Sequence, residues 1–299
     1  MNSVANVRQD VALAPFTTWQ VGGPARYFLE PTTVEEIVQA VDWARAEGLP
    51  WTTIGRGSNL LVSDEGFPGL VVRLANNFAG VRFAEGKMHA QAGLALAQMV
   101  VKGLEHSLGG LEPMVGVPGT VGGAVAMNAS AHHVEISKGF IEGRVLRPNG
   151  QVETWSFDDF RFQYRHTRLH DEQGLFLDGV WQLDVVDKPA GLARVRELQQ
   201  WRNQKQPTNV PTGGSTFRNP GGEHPAAGAL IELVGAKNLK VGGAEVSEKH
   251  ANFIINRGGA TAADIQALIC ELQTRVRDRF GVVMHPEVIG LGLAVGLPR

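Results

Sequence analysis

The segment Gly110–Ser130 reads GLEPMVGVPGTVGGAVAMNAS, with glycine at positions 110, 116, 119, 122 and 123. Glycines at this density let the backbone approach a ligand closely, because no Cβ stands in the way. Successive exposed amides in such a segment form a concave anion site. The spacing is neither the G-x-G-x-x-G fingerprint nor a G-x-x-x-x-G-K-[ST] loop. The segment therefore predicts a site for a diphosphate, and a series of tight turns is the alternative.

A second glycine loop, Gly55-Arg56-Gly57-Ser58-Asn59, follows directly after the predicted strand Trp51–Ile54. A helix precedes that strand and runs to about Glu47. It begins at Thr33, where a Thr-x-x-Glu capping box stands. Ligands commonly bind at the loop that follows a strand in such α/β units. Two glycine loops in one chain favour a single long ligand with a pyrophosphate in its middle.

The remaining pattern mixes short strands and helices, which predicts an α+β fold in three parts: residues 1–56, 57–187 and 188–299. A composition change after residue 203 marks the third part, and the Asn149-Gly150 pair predicts a hairpin. The predicted strands are Arg26–Leu29, Trp51–Ile54, Leu70–Leu74, Val81–Phe83, Met88–Ala92, Gly143–Arg147, Gln151–Trp155, Leu175–Val186, Asn252–Ile255 and Val282–Gly292. The predicted helices after the first are Leu94–Glu105, Ala190–Asn203, Ala226–Val234 and Ala262–Phe280, the last capped by Thr261.

Composition and charge narrow the class of protein. The chain has 299 residues, 43% hydrophobic and 19% charged, with a net charge of −2. This balance is typical of a globular protein and argues against a broad nucleic-acid surface. The single cysteine, Cys270, excludes an internal disulfide and fits a reducing compartment. The N-terminal residues lack the apolar region of a signal peptide, and no apolar run is long enough to span a membrane, so we expect a cytoplasmic protein.

Three short motifs carry side chains suited to catalysis. Ser215 follows two glycines in GGSTFRNP, where a turn role is the more common reading and proton donation is the functional one. Arg165 follows Tyr164 in FQYRH. Its guanidinium is able to donate two parallel hydrogen bonds to a carboxylate, although a surface loop is the simpler interpretation of this motif. Glu287 lies in HPEV, within the apolar predicted strand Val282–Gly292. Its carboxylate is expected either at an exposed edge or, if it is buried, in a functional role.

No metal site is expected from the sequence. His166 and His170 have H-x-x-x-H spacing, but they lie in a predicted loop, and Thr167 occupies the position where zinc proteases carry glutamate. One cysteine excludes a C-x-x-C site. The spacing is therefore interpreted as chance.

Seven motifs, in order, resemble the UDP-N-acetylenolpyruvoylglucosamine reductase family of bacterial cell-wall synthesis. They are TTWQVGGPARYF, GRGSNLLVSDEGFPGLVV, GLEPMVGVPGTVGGAVAMNA, FQYRHTRL, GGSTFRNP, AGALIELVGAKNLKVGGAEVSEKHANFIINRGGAT and HPEVIGLG. The likeness runs from about residue 16 to about residue 292 and is closest to the short (type II) class. It implies an FAD-binding fold of the vanillyl-alcohol-oxidase (PCMH) type in two subdomains. A smaller α+β substrate-binding domain completes the fold.

The resemblance also implies the reaction. NADPH reduces a non-covalently bound FAD, and hydride then passes from the flavin N5 to the enolpyruvyl sugar nucleotide, which becomes UDP-N-acetylmuramate. On this mapping Ser215 is the proton donor, Arg165 holds the substrate carboxylate, and Glu287 completes the site. Preorganised donors at a carboxylate that gains charge favour the transition state.

The resemblance assigns the binding residues position by position. The positions that match FAD contacts are Gly22, Gly23, Gly55, Arg56, Gly57, Ser58, Asn59, Gly116, Pro118, Gly119, Gly122, Gly123 and Asn128. The positions that match contacts to the sugar nucleotide are Tyr164, Lys205 and Asn219. The chain departs from the family at Asn128-Ala129-Ser130, where the usual reading is N-A-G, and at His132-His133 in place of a Tyr-Gly-like pair.

Two alternatives stay open at this point. A flavin-dependent oxidase of the same FAD fold would bind the flavin covalently in many cases, and a non-catalytic binder would not need Ser215, Arg165 and Glu287 together. We expect the UDP-sugar substrate and NADPH as partners, no nucleic acid or membrane, and a monomer or weak homo-oligomer.

Overall fold

The computed structural model describes residues 6–297, and its helices agree closely with the periodicity of the sequence. In this range the α-helices are α1 (Val34–Ala46), α2 (Leu96–Glu105), α3 (Val121–Ala126), α4 (Phe157–Phe160), α5 (Arg168–Asp171), α6 (Lys188–Lys205), α7 (Ala227–Leu233) and α8 (Ala262–Phe280). Short 3₁₀ turns span Ala14–Phe16, Asn76–Phe78 and Glu112–Gly116. No helix within residues 6–297 combines the length and the apolar character that crossing a bilayer requires.

Most strands are short. They are β1 (Arg8–Ala12), β2 (Pro24–Leu29), β3 (Trp51–Ile54), β4 (Leu60–Val62), β5 (Phe67–Arg73), β6 (Val81–Ala84), β7 (Lys87–Gln91), β8 (Leu108–Gly109), β9 (Ser130–Ala131), β10 (Val134–Glu135), β11 (Phe140–Leu146), β12 (Val152–Ser156), β13 (Leu175–Trp181), β14 (Asp184–Val185), β15 (Thr212–Ser215), β16 (Lys240–Val241), β17 (Ala244–Val246), β18 (Phe253–Asn256) and β19 (Ile289–Leu291). Helices and strands are mixed along the chain, which confirms the predicted α+β class.

The described residues form two compact units, each made of several chain segments. The first unit comprises the described residues up to Arg8, Phe28–Arg56 and Gly69–Arg202. The second comprises Gln9–Tyr27, Gly57–Pro68 and the described residues from Asn203 onward. The three-part division of the sequence at residues 56/57 and 187/188 stays a prediction.

The first unit is built on an antiparallel five-stranded sheet with the order β12-β11-β13-β7-β6. The hairpin of β11 and β12 pairs Gly143 with Trp155 and turns at Asn149-Gly150, as the sequence predicts. Gly150 has a φ of +88°, and the Asn149 side chain accepts a hydrogen bond from the Gln151 amide at 3.0 Å. The same unit holds the parallel pair β3 and β5, so the loop that begins at residue 55 leaves the end of a strand.

An aromatic cluster fixes the segment that leads to the FQYRH motif. Phe140 of β11 packs edge-on against Trp181, with ring centroids 5.0 Å apart, and against Phe160 at 4.9 Å. Phe160 in turn stacks on Phe162 at 5.4 Å. Aromatic pairs of this geometry add to the free energy gained by burial. The chain therefore enters the Gln163–His166 turn from an anchored position.

Helix α1 begins where the capping box predicts. The Thr33 hydroxyl accepts a hydrogen bond from the Glu36 amide at 3.2 Å. The Glu36 carboxylate reaches back to the Thr32 amide at 2.6 Å, and this bond lowers the pKa of Glu36. The first bond satisfies an amide that the helix start leaves without an intrahelical partner, and the second holds the residue that precedes the cap.

In the second unit, helix α8 packs against the sheet with the order β15-β18-β17-β16. Its buried face carries Ile265, Leu268, Ile269, Leu272 and Val276, the spacing of an amphipathic helix. The predicted Thr261 cap is confirmed, because Thr261 and Asp264 form a full capping box. The Asp64 carboxylate accepts two further amides of the first turn, from Ala262 at 2.8 Å and Ala263 at 3.0 Å.

Strand β15 carries Ser215 and is shaped by two adjacent glycines. A Cβ at Gly213 would lie 2.5 Å from a ring carbon of Trp19, which is fully buried and donates its indole N–H to the Ile254 carbonyl at 2.8 Å. Gly214 has a φ of +81°. The register of β15 against β18 shifts between Thr212 and Ser215. An irregularity of this kind re-aims the side chain that follows it.

We expect Gly213→Ala to destabilise the protein by about 2–3 kcal/mol, because the new methyl group overlaps a buried indole that has no room to move. Gly214→Ala is the matched control, since open space surrounds this position and only the positive φ is unfavourable. That substitution should cost about 1 kcal/mol. Urea unfolding of both variants tests the difference, and equal costs would show that the Trp19 contact does not constrain residue 213.

Two predicted elements differ from the structure, for identifiable reasons. The predicted strand Leu175–Val186 ends at Trp181, because Asp184 and Val185 pair with β8 instead. In the predicted strand Val282–Gly292 only Ile289–Leu291 is regular, paired in parallel with β4. Pro286 interrupts the rest, since proline has no amide to donate to a ladder. The sequence interpretation also missed several short elements, which are α3, α4, α5 and the strands β1, β4, β8, β9, β10, β15, β16 and β17.

Candidate active site

The two predicted glycine segments meet inside the first unit. A Cβ at Gly55 would lie 2.4 Å from the Thr120 hydroxyl oxygen, so glycine is required at the end of β3. Thr120 is buried, and its hydroxyl caps α3 by accepting from the Gly123 amide at 3.4 Å. The segment also contains Gly119 with a φ of +129°, a conformation suited to glycine. The close contact places Gly55, the first residue of the Gly55–Asn59 loop, beside the start of α3.

The amides at the start of α3 are already used within the fold. The Val121 amide donates to the Leu94 carbonyl at 2.9 Å, and the Gly122 amide donates to the Ala92 carbonyl at 2.8 Å. A Cβ at Gly122 would also lie 2.9 Å from the Cβ of Ala92. Glycine at this position therefore serves close packing. The amides of Val121, Gly122 and Gly123 thus have partners within the fold and do not form the free anion site that the glycine density predicts.

A half-buried arginine, Arg202, lies beside Gly116. A Cβ at Gly116 would come within 3.1 Å of Cδ of Arg202. Burial lowers the pKa of the Arg202 guanidinium. Arg202 forms no hydrogen bond or ion pair with any residue between 6 and 297. A partly buried cation without a counter-charge is costly. Its position next to the glycine segment indicates an anionic ligand.

Asn128 is buried and bridges two segments of the first unit. Its side-chain amide nitrogen donates to the Glu135 carboxylate at 3.0 Å and to the Gln163 carbonyl at 3.1 Å. Both partners accept hydrogen bonds, which fixes the orientation of the amide. The side-chain oxygen is then buried without a partner in the described part of the chain. Such an atom is suited to accept a hydrogen bond from a bound group.

Arg165 lies in a tight four-residue turn. The Gln163 amide donates to the His166 carbonyl at 3.0 Å, and the His166 amide donates back to the Gln163 carbonyl at 3.2 Å. Arg165 has a φ of +57°, which is uncommon for a residue with a side chain. Its guanidinium donates to the Ser130 hydroxyl at 2.8 Å and lies 5.2 Å from the ring centroid of Tyr164. Tyr164 is exposed.

In the second unit, hydrogen bonds join the chain segments that carry Ser215, Glu287 and Asn59. The Glu287 amide donates to the carbonyl of Thr216, the residue after Ser215, at 2.8 Å. The Asn59 side chain donates to the Glu287 carbonyl at 3.0 Å, and the Ile289 amide donates to the Asn59 carbonyl at 3.0 Å. Ser215 and Glu287 are both half-buried. The proposed proton donor and the glutamate therefore lie on directly bonded segments.

Three further predicted FAD positions in the second unit are packed closely. A Cβ at Gly57 would lie 2.2 Å from the Phe16 carbonyl oxygen, one at Gly22 would lie 2.6 Å from Cβ of Val62, and one at Gly23 would lie 2.2 Å from the Asp64 carbonyl oxygen. Close packing therefore explains why each of these positions is glycine, whether or not a ligand binds there.

The predicted substrate residues differ in how firmly they are held. The Asn219 side-chain oxygen accepts the Ala227 amide at 3.0 Å, at the start of α7. Lys205 is exposed at the last position of α6. Arg56 and Pro118 are also exposed. Arg165 belongs to the first unit, and Ser215 and Glu287 belong to the second.

Sequence reasoning missed Arg202, although the pattern of α6 contains the signal. The buried residues of this helix are Gly191, Val195 and Leu198, which follow one another at intervals of four and three positions. Arg202 comes four positions later and therefore lies on the same face of the helix. A charged residue on the apolar face of a helix is rare unless it is paired or functional. Ser130 was noted only as a departure, and no sequence signal linked it to Arg165.

Known proteins resemble this chain over nearly its whole length. Residues 206–291 match the family model described as UDP-N-acetylenolpyruvoylglucosamine reductase, C-terminal domain. Residues 25–156 match the model of an FAD binding domain. A reductase of the same name from Synechococcus is 43% identical over 96% of this chain and 94% of its own length. One from Bacillus velezensis is 37% identical, covering 97% of this chain and 95% of the relative.

A solved structure is similar over the same range. The crystal structure of UDP-N-acetylenolpyruvylglucosamine reductase from Thermus caldophilus has 33% sequence identity and a TM-score of 0.79, and the match covers 95% of this chain and 99% of that chain.

Proposed function

Because the chain belongs to the UDP-N-acetylenolpyruvoylglucosamine reductase family, we propose that it reduces UDP-N-acetylglucosamine enolpyruvate to UDP-N-acetylmuramate with NADPH as hydride donor. As a member of this family it is an FAD-dependent oxidoreductase of peptidoglycan precursor synthesis. The observation that carries the proposal is the similarity to reductases of this name over nearly the full chain. The single Cys270 fits a cytoplasmic location.

Two observations of the structure fit a bound FAD. Arg202 supplies a positive charge beside Gly116 that has no counter-charge among residues 6–297, and such a charge is suited to a diphosphate. The Asn128 oxygen is a buried acceptor that no described residue uses, suited to an N–H of the cofactor. We propose these residues, with the predicted glycine positions, as those that hold FAD.

The protein residues have separate tasks in the proposed reaction. FAD, when bound, supplies the redox chemistry by carrying a hydride from NADPH to the methylene carbon of the enolpyruvyl group. Negative charge then develops on the neighbouring carbon and its carboxylate. Arg165 stabilises the carboxylate through charge-assisted hydrogen bonds. The Ser215 hydroxyl gives its proton to the carbon, and Glu287 completes the site. The net change consumes one NADPH and one proton.

The test is NADPH oxidation, followed by absorbance with and without the enolpyruvyl sugar nucleotide. We expect oxidation that depends on this substrate and a yellow protein whose flavin is released on acid precipitation. A rate that does not depend on the substrate would reject the proposed function. Flavin retained in the acid pellet would favour a covalent flavin oxidase of the same fold.

We expect Arg202→Met to have opposite effects on stability and on FAD affinity. The flavin-free variant should be as stable as the natural protein or more stable, because a buried charge without a partner is removed. Its FAD dissociation constant should rise roughly 10- to 100-fold, because charge-assisted bonds to the diphosphate are lost. Flavin fluorescence titration of the flavin-free protein measures this change.

Arg196→Met is the matched control, because Arg196 lies on the exposed face of the same helix. It removes the same charge and should leave FAD affinity within about twofold, as expected of a solvated charge. Riboflavin, which has no diphosphate, should bind the Arg202 variant as it binds the natural protein. An equal loss of riboflavin affinity would show that Arg202 does not contact the diphosphate.

A further inference from the structure

The Arg165 guanidinium has a neutral side-chain partner in the first unit. It donates from Nη1 to the Ser130 hydroxyl at 2.8 Å, a good distance for such a bond. The Arg165 backbone is held in the left-handed region by the two bonds across the Gln163–His166 turn. Backbone geometry of this kind persists only where the surroundings enforce it. The arginine is therefore constrained at its backbone and at its charged end.

Ser130 is itself held in a short hairpin. Strand β9 pairs with β10 so that Ser130 lies opposite Glu135. The two residues of the hairpin turn, His132 and His133, have φ values of +47° and +64°. Positive φ at both central positions is the geometry of the type I′ turn. The tight turn fixes the register and thereby the position of the Ser130 hydroxyl.

Asn128 connects this hairpin to the turn that carries Arg165. Its amide nitrogen bonds the Glu135 carboxylate, opposite Ser130, and the Gln163 carbonyl, in the Arg165 turn. The Ser137 hydroxyl donates to the same Glu135 oxygen at 3.2 Å. The hairpin and the Gln163–His166 turn are therefore linked twice, once by the Arg165–Ser130 bond and once by the buried side-chain amide of Asn128.

The neutral character of Ser130 matters for what Arg165 is able to do. A carboxylate at this position would add a counter-charge beside the guanidinium. A hydroxyl accepts a hydrogen bond from the guanidinium without adding one. Since an arginine side chain has many rotamers, fixing it before binding removes an entropic cost from the bound state.

We propose that Ser130 is a positioning residue that preorganises Arg165 to receive the carboxylate of the substrate. This inference rests on the proposed function for the identity of the substrate, while the positioning itself concerns only the free protein. Ser130 acts through Arg165 and takes no part in the transfer of hydride or proton.

The test compares Ser130→Ala, Ser130→Thr and Ser130→Asp in the flavin-loaded protein. In stopped-flow, flavin reduction by NADPH should stay within about twofold in all three. Ser130→Ala should raise the dissociation constant of the enolpyruvyl substrate, or slow flavin reoxidation by it, about 10-fold. Ser130→Thr should restore both to within about threefold. Ser130→Asp should bind the substrate at least 10-fold more weakly than Ser130→Ala, because the aspartate adds a negative charge beside the substrate carboxylate that Arg165 is proposed to hold.

A second readout does not depend on the reaction. Nitrogen-15 relaxation of the arginine side chains should show Arg165 becoming mobile in Ser130→Ala and staying rigid in Ser130→Thr. Unchanged Arg165 mobility in Ser130→Ala, or an aspartate variant that binds substrate as well as the natural protein, would overturn the proposal. If the natural protein shows no substrate-dependent NADPH oxidation, the proposed function fails, and Arg165 mobility alone then decides whether Ser130 positions it.

Discussion

Replacing Ser215 with alanine should slow reoxidation of the flavin by the enolpyruvyl substrate about 100-fold or more, while reduction by NADPH stays nearly unchanged. Only the second half-reaction needs a proton on carbon, and loss of a positioned general acid costs two to four decades of rate. Strand β15 places this hydroxyl directly after a glycine with positive φ. Stopped-flow absorbance of the flavin measures the two half-reactions separately.

Thr216→Val supplies the control for this experiment. Thr216 is the next residue, it is fully buried, and its hydroxyl oxygen has no hydrogen-bond partner within the described residues. The substitution removes a neighbouring hydroxyl with little change of shape, so both half-reactions should stay close to their natural rates. If Ser215→Ala slows both half-reactions equally, Ser215 is not the proton donor and has a structural role.

Much of the fold is visible in the sequence because the signals are local. The Thr33 and Thr261 caps, the strand Trp51–Ile54 and the Asn149-Gly150 hairpin are found where they are predicted. Each depends on residues within a few positions of one another. The recognised family is likewise confirmed by relatives at 36–43% identity.

Two of the missed elements, β4 and β15, depend on partners that are distant in sequence. Strand β4 has three residues and is defined by its parallel pairing with β19, more than 200 positions later. Strand β15 contains two glycines and no β-branched residue except Thr212, so its propensity is low. Its pairing with β18 and the packing of Trp19 on Gly213 determine it instead.

The site was predicted from motifs, and the structure changes the physical interpretation of several glycines. Glycine density suggested free amides, yet the amides of Val121 and Gly122 are used by carbonyls of the same unit. We propose that the positive charge for anion binding comes instead from Arg202, which a composition argument cannot assign to Gly116. The residue assignments for FAD and substrate remain predictions that the variants above are designed to test.

Replacing Arg165 with alanine should lower kcat/KM for the enolpyruvyl substrate about 100- to 1000-fold, the scale for removing a donor that stabilises charge in a transition state. FAD retention should change little, because Arg165 contacts Ser130 and Tyr164 and the proposed diphosphate charge comes from Arg202. Arg165→Lys should recover only part of the loss, since lysine keeps the charge without the two-pronged geometry.

Arg161→Ala is a closely matched control for the Arg165 variant. Arg161 is exposed in the same segment and has a φ of +50°, against +57° for Arg165. Both substitutions place alanine in the left-handed region, so their effects on folding should be similar. Steady-state kinetics and flavin absorbance of the purified variants separate turnover from cofactor binding. If Arg165→Ala loses its flavin, or if Arg161→Ala loses as much activity, Arg165 stabilises the fold and does not hold the substrate carboxylate.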